Sequence, residues 1–238
     1  MNTASPHISI VIPAYNEAEV IADTLHVISD FVSAKNLDAE IILSDDGSTD
    51  NTADTAESLE LDNLRILRLT HVGKGHAVKE GIKNAHGNLI IFTDADLSTP
   101  IEEAERLLHE LENGTPVVIG SRRIDGLPAE HRQPRIRHFA GNIFATIVKA
   151  LLIPGIHDPQ CGFKGFQADS IHNIISKSCI NGFAFDTEIL MIARKLGIPV
   201  KEIPVTWRDS GNSSVKLMRD GPKMLADLIR IYIHLRSI

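Results

Sequence analysis

Asp94 and Asp96 stand two residues apart directly after Leu89–Thr93, a run that is apolar or β-branched throughout. Such a run reads as a strand buried on both faces, so it delivers two carboxylates to the rim of a core. There they repel each other and lose hydration, which is costly unless a cation holds them. Hard oxygen ligands with an incomplete shell suit Mg2+ or Mn2+ bound partly through a substrate diphosphate. Taken alone, the pair also fits an exposed turn whose aspartate caps a helix.

Three further polar clusters follow other short apolar runs. Pro13-Ala14-Tyr15-Asn16-Glu17 comes after the first run and Asp45-Asp46-Gly47-Ser48 after the second. A carboxylate there can accept hydrogen bonds from a base or a ribose, and Gly47 lets backbone approach closely. Gly73-Lys74-Gly75-His76-Ala77 precedes a helical pattern, so backbone amides, a helix N-terminus and a point cation come together, as a diphosphate requires. Neither the dinucleotide glycine fingerprint nor a P-loop spacing is present. All four clusters fall where strands should end, and an open parallel sheet places its ligand crevice there.

The elements that must hold these clusters are legible from periodicity. Runs at Ile8–Ile12, Glu40–Ser44, Leu64–Leu69, Leu89–Thr93 and Val117–Gly120 alternate with helical patterns, the sign of an α/β fold with a mostly parallel central sheet flanked by helices. Ile21, Leu25, Ile28 and Val32 recur at helical spacing, as do Ile101, Ala104, Leu108 and Leu111. The second of these helices is expected to be capped by Thr99, with Pro100 at its first position and Glu102 closing a capping box. Past Gly126, Pro128 and Pro134, residues Ile136–Leu152 read as a helix apolar around much of its circumference. Pro222–Ile238 reads as a docked amphipathic helix, with Leu225, Leu228, Ile229, Tyr232 and Leu235 on one side and Lys223, Asp227, Arg230 and His234 on the other.

The chain has 238 residues, 43% of them hydrophobic, enough for one catalytic unit. A net charge of −7 argues against a general nucleic-acid binder. His131, Arg132, Arg135, Arg137 and His138 nevertheless form a basic run with no carboxylate between them, which suits either a solvated loop or a phosphate or anionic-lipid site. No segment reaches the roughly 18–20 apolar residues of a spanning helix, and residues 1–7 lack the pattern of a signal peptide. A cytoplasmic protein, soluble or peripheral at a membrane face, is expected. Cys161 and Cys179 have no metal-type spacing and read as plain thiols.

Taken together the clusters resemble family 2 glycosyltransferases of the GT-A, nucleotide-diphospho-sugar transferase fold, nearest to the branch that glycosylates dolichyl phosphate. The resemblance runs from about Ile8 to about Val215. It is carried by Pro13–Glu17, Asp45–Asp50, Gly73–Ala77, Asp94–Ser98, Gly120-Ser121-Arg122, Asp158–Lys164, Phe185-Asp186-Thr187-Glu188 and Trp207. Residues 158–164 and 185–188 look more like the glucosyl than the mannosyl branch.

The resemblance implies a catalytic domain over residues 1–215, with an interfacial, acceptor-facing segment at 124–155, and an amphipathic helix at 216–238. It gives Pro13, Tyr15, Glu17, Asp45, Asp46, Lys74 and Asp94 to the nucleotide donor, and Asp94 and Asp96 to the metal. Asp96, Asp158, Asp186 and Glu188 are the acidic residues implied near the chemistry, and Arg122 and Arg137 the pair implied to hold an acceptor phosphate. A guanidinium suits that task, being permanently charged and able to pair bidentately. Ser98 stands where mannosyl relatives carry Gln, and Lys216 follows a sequence that departs from their Gly-Ser-Lys.

The implied activity is an inverting transfer of a hexose from a nucleoside diphosphate, UDP-glucose before GDP-mannose, to a polyprenyl phosphate at a membrane surface. A phosphate acceptor is already ionised at neutral pH and needs no strong base; a hydroxyl acceptor would need one, with Asp186 or Asp158 as candidates. A soluble glycan acceptor is the alternative within the same enzyme class. A nucleotide-sugar-binding module without catalysis, or a nucleotidyltransferase, are alternatives outside it. A second copy of the chain is a further candidate partner.

Overall fold

The computed structural model describes residues 6–124, 155–208 and 217–237. The Ile136–Leu152 helix and the basic run around Arg137 lie outside them, as does Lys216. Seven strands form one sheet in the order β3-β2-β1-β4-β6-β5-β7. β1 (Ile8–Ala14), β2 (Ala39–Asp45), β3 (Leu64–Arg68), β4 (Leu89–Thr93) and β5 (Val117–Ser121) are the five strands expected, shifted by at most two residues at an end. β6 (Phe163–Gln167) and β7 (Val200–Pro204) were not foreseen. β6 runs antiparallel between β4 and β5, whereas every other pairing is parallel. Its sequence, Phe-Lys-Gly-Phe-Gln, carries a lysine and a glycine, so neither strand propensity nor apolar continuity marks it.

Strand alternation divides the core. On one face Ile8, Ile10 and Ile12 pack with Ile21, Leu25 and Ile28 of α1 (Ile21–Ala34) and with Leu107, Leu108 and Leu111 of α4 (Ala104–Glu112). On the other, Val11 and Ile42 meet α3 (Lys74–Lys83), α5 (Ala168–Ile175), α6 (Phe185–Lys195) and α7 (Leu217–His234). The short α2 (Thr52–Glu57) covers the edge near β3. A buried Ile or Leu contributes about 2 kcal/mol by leaving water, so these two clusters, not the polar rim, supply the stability on which the rim residues depend.

Two local expectations are corrected. The capping box at Thr99 does not form: Pro100, with ψ 141°, is itself the cap of a 3-10 turn at Ile101–Glu103 that leads into α4, and no side chain caps it. The apolar stripe of the C-terminal helix is also rotated from its expected position. Met224, Leu228 and Ile231 are buried, while Leu225, Ile229 and Tyr232 are about half exposed. Apolar residues occupy more than half the circumference of α7, so periodicity leaves its docked side undetermined. The bond between His234 Nε2 and the Lys177 carbonyl, 2.7 Å, holds the observed rotation.

Gly81 shows how tightly α3 lies on β1. A Cβ there would meet Val11 Cγ1 at 2.4 Å and Ser44 Oγ at 2.6 Å. In an exposed helix Gly→Ala stabilises by about 1 kcal/mol. Here overpacking should outweigh that gain, and Gly81→Ala is expected to destabilise by about 1–2 kcal/mol in urea denaturation; a stabilised variant would show that α3 sits more loosely than described.

Candidate active site

The strand order reverses at β1, which pairs with β2 on one side and β4 on the other. Loops leaving the carboxyl ends of β1 and β4 therefore diverge and open a crevice between them. The β1 loop is laced to the β2 loop. Asn16 N–H donates to Ser48 Oγ at 2.9 Å, Glu17 N–H to Thr52 Oγ1 at 2.8 Å, and Thr49 N–H to Asn16 Oδ1 at 2.8 Å. These bonds fix where Tyr15 and Glu17 stand.

The β4 loop turns sharply, with Leu97 in the left-handed region at φ 44°. Ala95 is buried and its carbonyl accepts the Thr24 hydroxyl at 2.5 Å, so the aspartates on either side of it flank an anchored residue. Asp94 Oδ1 lies 2.6 Å from Lys74 Nζ, at the N-terminus of α3. Asp96 accepts the Ser98 N–H at 3.0 Å and its hydroxyl at 2.8 Å, so Ser98 orients this carboxylate. Gly162 leaves the space Asp94 uses, because a Cβ there would fall 1.9 Å from Asp94 Oδ2.

Glu17 reports the electrostatics of this rim. Burial first, then repulsion from Asp96, Asp50 and Asp94, pushes its carboxyl up to about 7 against the pull of Lys74. Burial alone would lower the Lys74 ammonium, but Asp94, Asp186 and Asp96 hold it above its ordinary value. Negative charge is thus concentrated beyond what one lysine neutralises. Among the described residues no three His, Cys, Asp or Glu side chains converge as a complete metal cage. Two carboxylates without further protein ligands suit a hard divalent cation that takes its remaining ligands from water and a diphosphate.

The other predicted acids are brought near but engaged. Asp158 is 1% exposed and paired bidentately with Arg122, Nε to Oδ2 at 2.6 Å and Nη2 to Oδ1 at 2.8 Å. Burial works the other way, yet the guanidinium holds the Asp158 carboxyl below the usual carboxylate range. Arg122 lies over Trp207, its Cζ 5.6 Å from the ring centroid. Asp186 is buried against Lys164 Nζ at 2.5 Å, and burial raises its carboxyl. Glu188 is likewise engaged. It is fully buried and accepts the N–H groups of Cys179 at 2.8 Å and Ile180 at 3.0 Å and the Ser178 hydroxyl, so it fastens the loop before α6. Arg137 lies outside the described residues.

Asp45 and Asp46 also face inward. Asp45 accepts the Ser48 N–H at 3.2 Å, and Asp46 accepts the Val72 and Gly73 N–H groups at 3.0 and 3.3 Å. Asp46 therefore braces the loop that ends at Gly73, whose φ of 142° favours glycine and whose Cβ would strike the Asn181 carbonyl at 2.7 Å. Pro13 is buried in β1, while Tyr15 is 40% exposed and stacks on His71 with centroids 4.1 Å apart. His71 was missed in the sequence; its Nδ1 lies 2.8 Å from Asp46 Oδ2. It follows β3 as the other clusters follow their strands, and that position was its signal. The two cysteines are free thiols, both pushed up to about 11 by burial.

Residues 9–175 match the family model described as Glycosyl transferase family 2. The dolichyl-phosphate beta-glucosyltransferase of Dictyostelium discoideum is 35% identical over 94% of this chain and 73% of its own length. That of Saccharomyces cerevisiae is 33% identical, with 94% and 73% covered. Among solved structures, glucosyl-3-phosphoglycerate synthase from Mycobacterium tuberculosis, in complex with Mn2+, UDP and glucosyl-3-phosphoglycerate, superposes with a TM-score of 0.72 at 19% identity. That match covers 98% of this chain and 81% of the other, and it shows a shared fold.

Glu17 yields a pH-dependent prediction. Its folded value, about 7, lies above the ordinary 4.5. The unfolded chain therefore loses this proton first as pH rises; stability falls across that window, and the penalty is complete above it. Glu17→Gln should stabilise the ligand-free protein by about 1 kcal/mol at about pH 8, a figure discounted for partial exposure, with the gap closing near pH 4.5. Urea denaturation at both pH values measures it; an equal gap at each would remove the charge explanation.

Proposed function

The chain belongs to glycosyl transferase family 2, and from that premise we propose that it transfers glucose from UDP-glucose to a polyprenyl phosphate. The observation that carries the acceptor choice is the state of the two candidate bases. Asp158 has both oxygens occupied by Arg122 and is a weakened base, and Asp186 is buried against Lys164. A hydroxyl nucleophile would need a carboxylate able to take its proton. A phosphate monoester arrives ionised and needs only to be positioned. The names of the glucosyltransferase relatives agree with this reading.

In this mechanism an acceptor phosphate oxygen attacks the sugar's anomeric carbon in line, the bond from that carbon to the nucleoside diphosphate breaks, and the configuration inverts. Tyr15 and His71 offer a flat surface for the base, and the Gly73–Lys74 turn offers amides and a cation to the diphosphate. Mg2+ or Mn2+ held by Asp94 and Asp96 would supply neutralisation of the charge that builds on the leaving diphosphate. Lys74 stabilises the same charge from the helix side and orients Asp94. Arg122, oriented by Asp158 and backed by Trp207, together with Arg137 would hold the acceptor phosphate. Such an acceptor confines the enzyme to a membrane surface, as a peripheral protein at the cytoplasmic face. No helix among the described residues is long and apolar enough to cross a membrane.

The test is a product assay with labelled UDP-glucose, Mn2+ and polyprenyl phosphate in detergent, run beside a soluble glycan. Label is expected in the organic phase as a β-linked lipid, with UDP released in equal amount. Label only on the soluble glycan would refute the lipid acceptor, and release of pyrophosphate would identify a nucleotidyltransferase. Asp94→Asn should lower turnover by about a hundredfold or more, the scale of one lost electrostatic contact to the leaving group; unchanged turnover at saturating donor and Mn2+ would remove Asp94 from the machinery.

A further inference from the structure

Lys164 is a charged side chain with no exposed surface, set in the middle of β6. Its ammonium donates to the Cys161 carbonyl and to Asp186 Oδ1, the latter at 2.5 Å. A lysine so buried cannot touch a substrate, and an ammonium taken from water is retained only against a partner. Its surroundings repeat in sign. Lys74 Nζ sits 5.5 Å from the centroid of the Phe92 ring and Lys164 Nζ 5.9 Å from the same centroid. Asp186 is paired with Lys164 and also attracts Lys74, while Lys74 is bound to Asp94. Asp94, Lys74, Asp186 and Lys164 thus form a sequence of alternating charge whose two ammonium groups lie near one aromatic ring.

We propose that Lys164 is a positioning residue: by neutralising Asp186 it keeps Lys74 on Asp94 and available to the donor's diphosphate. The inference rests on the donor reading above, since it concerns where Lys74 spends its charge. With Lys164 removed, Asp186 is left as a buried carboxylate whose remaining cationic neighbour is Lys74. Attraction between unit charges a few ångströms apart and shielded from water exceeds that across the solvated rim, so Lys74 moves toward Asp186. Asp94 then loses its orienting contact, and the diphosphate loses a cation. Both ammonium groups lie within 6 Å of the same Phe92 ring centroid, at 5.5 and 5.9 Å, so the exchange is short, and Gly75 holds the start of α3 close to Phe185, where an added Cβ would fall only 2.6 Å from Phe185 Cβ.

The experiment measures binding of UDP with Mn2+ to the full chain by titration calorimetry, for wild type, Lys164→Met and Lys164→Met/Asp186→Asn, each checked for folding by circular dichroism. Lys164→Met should bind about tenfold more weakly, the scale of one charge-assisted contact. The double variant should return to within about threefold of wild type, because a buried ion pair replaced by a neutral pair leaves no stray charge. A lysine that merely fills the core would give no such rescue. Wild-type affinity in Lys164→Met, as when Asp186 simply takes up a proton, overturns the proposal, and so does a double variant as weak as the single one. Should Lys164→Met fail to fold, the double variant decides alone: affinity within about threefold of wild type supports the proposal, and a loss of about tenfold ends it. Absence of UDP binding by the wild type would instead remove the donor reading, and this inference with it.

Discussion

Glu17, Asp94 and Asp96 crowd one edge of the sheet, and much of the surrounding structure answers the repulsion among them. Like charges at the rim of a core are tolerated only where cations, hydrogen-bond donors or an incoming ion offset them. Lys74 offsets part of the charge, Ser98 donates twice to Asp96, and Glu17 is left with its carboxyl raised to about 7. The imbalance that remains is a standing attraction for a divalent ion and the diphosphate it brings.

That imbalance is maintained by acids that hydrogen-bond backbone. Asp46 ties the loop that ends at Gly73, Glu188 ties the loop before α6, and Glu202 accepts the N–H groups of His157 and Asp158 at 2.8 and 2.7 Å. Each is an acid spent on holding backbone, and each is buried or partly buried, so its bonds are little screened by water. The cost of grouping acids at a sheet edge is in this way spread over loops that would otherwise be free to separate them.

Under the proposed function, the pairing of Asp158 with Arg122 links the donor side to the acceptor side. A carboxylate with both oxygens accepting from one guanidinium orients that group and gives up basicity. An acceptor that brings its own negative charge suits such a site better than one that must be deprotonated in it. The chemistry then reduces to positioning two anions, diphosphate and phosphate, on either side of a sugar, with cationic groups placed to keep them from repelling each other.

Much of this was legible in the chain itself. Apolar runs separated by helical stripes determined five strands, α1, α3 and α4 that pack on them and the strand-end location of the first four clusters, because burial imposes its periodicity on sequence directly; α2, α5 and α6 were not marked. The spacing of Asp94 and Asp96 and the glycines around Lys74 likewise marked a candidate diphosphate site, and the structure brings Lys74 to 2.6 Å from Asp94. Only the tertiary structure decided which acids face the crevice and which brace loops, since a carboxylate's role depends on the donors that meet it and these come from distant segments, as Arg122 comes to Asp158 and Lys164 to Asp186. It alone revealed β6, whose lysine reads as solvent-exposed until a partner from α6 makes its burial affordable, and it alone chose the docked side of α7, where apolar residues outnumber the positions that one face can bury.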